Sequence, residues 1–183
     1  MKSWLLALLF CCGSLLAEEK VQLCYGYGCL VQAEIRYGDA QLSEVDRTLR
    51  AAVDAENERE LLAGVIGQLY AWAGEQSDIR NDRGGNYADA GVPGKMDCID
   101  HSTSTTRLLH LLEARGDLRW HHVAAIEMRR WAFVFPAHYS AVIEMPGEGD
   151  GRHFVVDSWF VDNGQPAVIL PLDEWKKGAG PDV

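Results

Sequence analysis

Little in this chain favours a bilayer span or a nucleic-acid partner. Beyond residue 17, no run approaches the ~20 consecutive apolar residues that cross a membrane, so no transmembrane segment is expected. Basic residues are scarce, with 17 Lys and Arg against 27 Asp and Glu, a formal charge of −10. They do not cluster on any stretch, and phosphate backbones are bound by concentrated Lys and Arg, so nucleic acid is not expected as a partner. Cysteine is scarce as well, 5 in 183 residues, and no second Cys/His pair has the spacing of a structural zinc site. Internal repeats and low-complexity linkers are missing. What remains, 48% hydrophobic and 24% charged, is the composition of one ordinary globular domain.

Residues 1–17 stand apart. Lys2 precedes the apolar run at 4–10, small residues follow, and Leu16 and Ala17 come just before Glu18 and Glu19. That order predicts a secretory signal peptide over 1–17, a single domain over 18–183, and a periplasmic or secreted protein. Cys11 and Cys12 raise a lipoprotein as the alternative, but bulky Phe10 stands where a small residue usually precedes a lipidated cysteine. Export permits disulfides. Cys24 and Cys29 bracket Tyr25, Gly26, Tyr27 and Gly28, a loop that can close as a small disulfide, which leaves Cys98 as the free thiol.

Hydrophobic spacing gives the coarse architecture. Residues 30–37 partly alternate and read as a strand. Ser43 reads as the cap of a helix running to about 52, and 57–73 as a longer helix with a buried stripe of Leu61, Leu62, Val65, Ile66, Leu69, Tyr70 and Trp72. Residues 74–95 are rich in glycine and read as a loop. Its Asp78, Asn81, Asp82, Asn86 and Asp89 miss the calcium-loop spacing, because Arg80 holds the third position and no glutamate the twelfth. Asp97 then caps a helix faced by Leu108, Leu109, Leu111 and Leu112 and stopped by Gly116. From there the period changes to two, with strands expected at 120–127, 137–145, 152–160 and 166–170. The expected fold is α+β: a helical N-terminal half whose cysteine-bearing helix packs on an antiparallel sheet of three to four strands.

The chemistry-bearing residues are Cys98, His138 and Asp157. Cys98 opens a helix, and a helix N-terminus with a nearby imidazole favours the reactive thiolate. If Met145 pairs with Arg152 across the turn at 146–151, Ser140 faces Asp157, and Asp157 becomes the same-face diagonal neighbour of His138. A one-residue slip would break that pair. A carboxylate there would orient the imidazole. Asp162 and Asn163 lie past the strand end. His101, one turn from Cys98, is the competing base. His110 reads as helix packing, His121 and His122 point to opposite faces, and His153 reads as exposed. The Cys98 amide is the expected oxyanion donor, with Trp159 and the stretch 94–97 as candidates for a second.

From about 97 to 159 this pattern resembles the transglutaminase-like branch of papain-type enzymes. Within that branch it is similar to bacterial periplasmic transglutaminase-like cysteine proteases. The residues that carry the resemblance are Asp97 and Cys98, Asp100, His138 with Ala141 and Val142, and Val156 with Asp157. It implies a papain-like core, a Cys-His-Asp triad, cleavage of surface adhesins, and calcium beside the cysteine. Ile99 stands where an acidic calcium ligand is expected, so no cofactor is expected and calcium is the one ion in question. The resulting expectation is an exported thiol hydrolase, a cysteine peptidase or amidase acting on protein or peptide in the cell envelope. A crosslinking acyltransferase and a non-catalytic envelope binding protein are the alternatives. A redox role for Cys24 and Cys29 is disfavoured by four intervening residues in place of two.

Overall fold

A computed structural model describes residues 18–85, 88–130, 137–147 and 152–181. The expected signal peptide, with Cys11 and Cys12, lies outside the described residues, as do Asn86 and residues 148–151 of the turn. The chain begins with a hairpin of Glu19–Tyr25 (β1) and Val31–Tyr37 (β2), paired antiparallel from Glu19 opposite Tyr37 to Tyr25 opposite Val31. The first of these strands corrects the expectation of an all-helical beginning around one strand. Val21 and Leu23 alternate with Lys20 and Gln22, and the two apolar residues point into the core with Ile35 and Tyr37.

Two helices follow. Asp39–Arg50 (α1) starts earlier than its expected Ser43 cap, because the Gly38 amide is met by Gln41 Oε1 at 3.0 Å and closes the first turn. Ala55–Gln76 (α2) is capped by Asp54, which accepts from the Asn57 amide at 2.8 Å. Both bury an apolar stripe, Leu42, Val45 and Leu49 on α1 and Leu62, Val65, Ile66 and Leu69 on α2. Each such side chain contributes roughly 1.5–3 kcal/mol by leaving water. A single 3₁₀ turn, Asp78–Asn81, interrupts the glycine-rich stretch and buries Ile79.

Cys98–Ala114 (α3) is the third helix, and it packs on both β1 and the sheet that follows. That sheet is a four-stranded antiparallel meander of His122–Arg129 (β3), His138–Glu144 (β4), His153–Asp157 (β5) and Val168–Pro171 (β6), in that spatial order. Leu172–Lys176 (α4) closes the chain. Strand β3 runs two residues later than expected and carries an irregularity between Ala124 and Glu127. Strand β5 stops at Asp157, three residues short of expectation, so 158–160 leave the ladder.

The register of β4 and β5 is the expected one. Ala141 lies opposite Val156, Glu144 opposite His153, and the Met145 amide donates to the Arg152 carbonyl at 2.9 Å. Pleating divides β4 between two apolar clusters. Ala141 and Ile143 join the main core with Val156, Leu108 and Leu112, while Val142 packs with Val155 and Trp175 on the opposite face. His138 and Asp157 share the Val142 face by the same alternation. Trp175 thus covers the side of the sheet away from α3.

Candidate active site

Three elements meet at the end of β4. Asp97 is held just before α3 in extended backbone, and its Oδ1 accepts from the amides of Ile99 at 3.0 Å and Asp100 at 2.9 Å. Asp100 answers from the third helical position by accepting the Asp97 amide at 3.1 Å. This reciprocal cap pins the first turn of the helix and thereby places Cys98. The thiol is half-buried and free, with its sulfur 3.7 Å from the Ala137 carbonyl oxygen, immediately beside His138.

His138 Nε2 lies 2.7 Å from Asp157 Oδ2, and the Cys98 sulfur is close enough to act on the same ring. Burial of the ring opposes its charge. The Asp157 carboxylate and the Cys98 sulfur outweigh that burial and push the imidazole up to about 9, so the imidazolium is the favoured form at neutral pH. Asp157 is itself buried and accepts three N–H groups: the His138 ring, the Trp175 indole at 3.0 Å and the Trp159 amide at 3.2 Å. Trp159, Phe160 and Trp175 surround the imidazole, with ring centroids 4.9, 5.6 and 5.6 Å away. An apolar wall of this kind excludes water from the Asp157–His138 bond and keeps it strong.

Trp175 escaped the sequence reading. It stands alone in a polar C-terminal stretch, with no periodic signal around it. Trp159 entered that reading as an oxyanion candidate, but its backbone amide is spent on Asp157. The amides of Lys95, Met96 and Asp97 are likewise given to the Val92 carbonyl, Asp82 Oδ1 and Asp100 Oδ2. The Cys98 amide has no acceptor among the described residues, and it sits on the positive end of α3, where an oxyanion beside the sulfur would be met.

Two further layers fix this arrangement. His101, one turn along α3, is buried, with Nε2 3.0 Å from Asp82 Oδ2 and Nδ1 2.9 Å from the Ser158 hydroxyl. Ser158 continues to Thr105 at 2.9 Å, and Thr105 to the Tyr70 hydroxyl at 3.0 Å. Both nitrogens of His101 are therefore engaged away from the sulfur, and its contribution is to tie α3 to the residue following Asp157. The remaining histidines are peripheral. His121 is buried against Glu58 at 2.7 Å, and His122 and His153 pair with Glu113 and Glu144 on the surface. His110, expected to pack among leucines, is exposed beside Glu113, because its position falls on the outer face of α3.

The second layer is the loop closed by the Cys24–Cys29 disulfide, which matches the expected pairing. Gly26, Tyr27, Gly28 and Cys29 all take left-handed backbone, with φ of 84°, 69°, 66° and 59°. A run of this hand turns successive amides toward one side as an anion-binding nest. The anions are the two aspartates flanking Cys98. Asp100 accepts from the Tyr27 and Cys29 amides at 2.8 and 2.6 Å, and Asp97 Oδ2 from the Gly28 amide at 3.0 Å. All four oxygens of this carboxylate pair face the positive ends of amides, an environment that disfavours a divalent cation. With Ile99 exposed between them, these residues do not fit the calcium ligand set that the resemblance implies.

No protein-family model, curated protein or solved structure matches the chain.

Proposed function

We propose that this protein is an exported thiol hydrolase, a cysteine peptidase or amidase whose substrate is protein or peptide in the cell envelope. The observation that carries the reading is His138 held at 2.7 Å by buried Asp157, with Cys98 beside the same ring. Cys98 adds as thiolate to an amide or ester carbonyl, and the Cys98 amide stabilises the resulting oxyanion. The His138 imidazolium gives its proton to the departing amine, leaving a thioester on the sulfur. Neutral His138 then takes a proton from water, hydroxide adds to the thioester, and the carboxylic acid leaves as the thiol is restored. Asp157 holds Nε2–H throughout and so fixes the ring for both transfers.

An amine in place of water would make the same site a crosslinking acyltransferase. A binding protein that retains the triad without chemistry is the reading from another class. Export rests on residues 1–17 and agrees with the disulfide. Among the described residues, no helix is long and apolar enough to cross a membrane. Labelling purified protein with iodoacetamide at acidic pH, against Cys98→Ala and His138→Ala, tests the nucleophile. An envelope proteome compared between wild type and Cys98→Ala tests the substrate class. Cys98 labelling at the rate of a free peptide thiol, together with unchanged envelope proteins, would move the reading to the binding protein.

A further inference from the structure

The Cys24–Cys29 disulfide closes the loop whose amides hold the start of the Cys98 helix. Cys24 is fully buried and Cys29 only half-buried, so an incoming thiolate reaches the Cys29 sulfur first. Arg107 Nη1 lies 3.5 Å from Cys24 Sγ and is anchored there by the Gln22 carbonyl at 2.8 Å and Gln32 Oε1 at 3.0 Å. A guanidinium beside the departing sulfur stabilises its thiolate, and a stabilised leaving group accelerates thiol–disulfide exchange. On the other side of the loop, the amides of Tyr27, Gly28 and Cys29 grip Asp97 and Asp100, and the Gly26 amide grips the Lys95 carbonyl at 2.8 Å.

Tyr27 and Cys29 carry side chains in left-handed backbone, an unfavourable conformation that persists only where the surroundings enforce it. Ring closure by the disulfide and the two carboxylates enforce it here.

We infer that Cys24–Cys29 is a redox latch on Cys98: a dithiol of the envelope opens it by exchange, and opening withdraws the nest that positions the Cys98 helix. This rests on the reading of Cys98 as nucleophile. In the exchange, a dithiol thiolate attacks Cys29 Sγ, the sulfur–sulfur bond breaks, and Cys24 leaves as thiolate against Arg107. The dithiol's second thiolate then attacks the mixed disulfide and releases Cys29. The protein gains two electrons and two protons, and the dithiol becomes a disulfide. Asp97 and Asp100 act as positioning residues, through the first turn of α3.

The test compares closed wild type, wild type opened by a phosphine and freed of it, and Cys24→Ser/Cys29→Ser. Each is treated with excess iodoacetamide at pH 6, and the rate constant of Cys98 alkylation is read by peptide mass over time. Opening should slow Cys98 at least ten-fold with the near-ultraviolet circular dichroism retained, and reoxidation should restore the rate. If the double variant does not fold, the phosphine-opened wild type decides. Equal Cys98 rates in closed and open protein, or a loss that accompanies global unfolding, overturns the latch and leaves the nucleophile intact. A closed protein whose Cys98 reacts no faster than a peptide thiol overturns the nucleophile reading itself. Arg107→Gln should slow opening by dithiothreitol several-fold without changing Cys98 in the closed form; an unchanged opening rate removes Arg107 from the latch.

Discussion

Trp175 donates its indole N–H to Asp157 at 3.0 Å, onto the same oxygen that holds His138. One carboxylate oxygen thus fixes both the imidazole and the helix that covers it. Trp175 is fully buried with Val142 and Val155, so Trp175→Phe keeps an aromatic ring and removes the donor. The variant should lose about 1–3 kcal/mol in urea unfolding, from the lost hydrogen bond and a small void. It should also alkylate Cys98 several-fold more slowly. Unchanged stability and unchanged alkylation together would show that the indole contact carries nothing.

Asp157→Asn would be a mild change if the carboxylate met only His138, as the strand register alone suggests. The buried site is more demanding. Three N–H groups converge on two oxygens, and an asparagine has one oxygen and an NH₂ group. Whichever way the amide turns, a donor faces a donor. The expected loss is about 1–3 kcal/mol in unfolding free energy, on top of slower Cys98 alkylation. Wild-type stability in this variant would mean that the Trp159 amide or the Trp175 indole finds another acceptor.

Ser158 bridges His101 and Thr105 at 2.9 Å each, one residue past Asp157. Ser158→Ala strands His101 Nδ1, leaves Thr105 with the Tyr70 hydroxyl alone, and loosens the tie between α3 and the end of β5. Thermal unfolding should drop by several degrees. Cys98 alkylation should slow, whereas Ser158→Thr, which keeps the hydroxyl, should restore the rate if the added methyl is accommodated. Slowing in both variants to the same degree would assign the effect to packing in place of the hydroxyl link.

The His138–Asp157 contact and the place of Cys98 at a helix start were legible because each depends on local rules. A capping aspartate sets the helix start, and period-two alternation with a short turn sets the register that brings His138 to Asp157. Strand β1 was missed because only Val21 and Leu23 alternate cleanly, directly after the apolar segment at 1–17. The nest was invisible for a different reason. Gly26 and Gly28 advertise left-handed backbone, but Tyr27 and Cys29 do not, and their conformation follows from contact with aspartates about 70 positions away. Asp82, His101 and Ser158 likewise belong to three separate segments, and no spacing rule connects them.

The pH response of His138 separates its two roles. Its imidazole is raised from 6.5 to about 9, so the folded state binds that proton more tightly than the unfolded chain does. The associated stabilisation, on the order of 3 kcal/mol, is fully present below about 6.5 and is lost as pH rises through about 9. The stability gap between wild type and His138→Gln in urea should therefore narrow between pH 6.5 and 9.5. Chemistry should divide in the same window. Amide turnover needs the imidazolium to protonate the leaving amine and should fall above about 9, while alkylation of Cys98 needs no proton donor and should hold. An NMR titration of the His138 ring should place the midpoint near 9 in wild type and lower in Cys98→Ala, because the sulfur is one of the groups that raise it. A midpoint at the ordinary 6.5 in both proteins would show that the imidazole meets neither Asp157 nor Cys98 as described, and the acid–base assignment would fall with it.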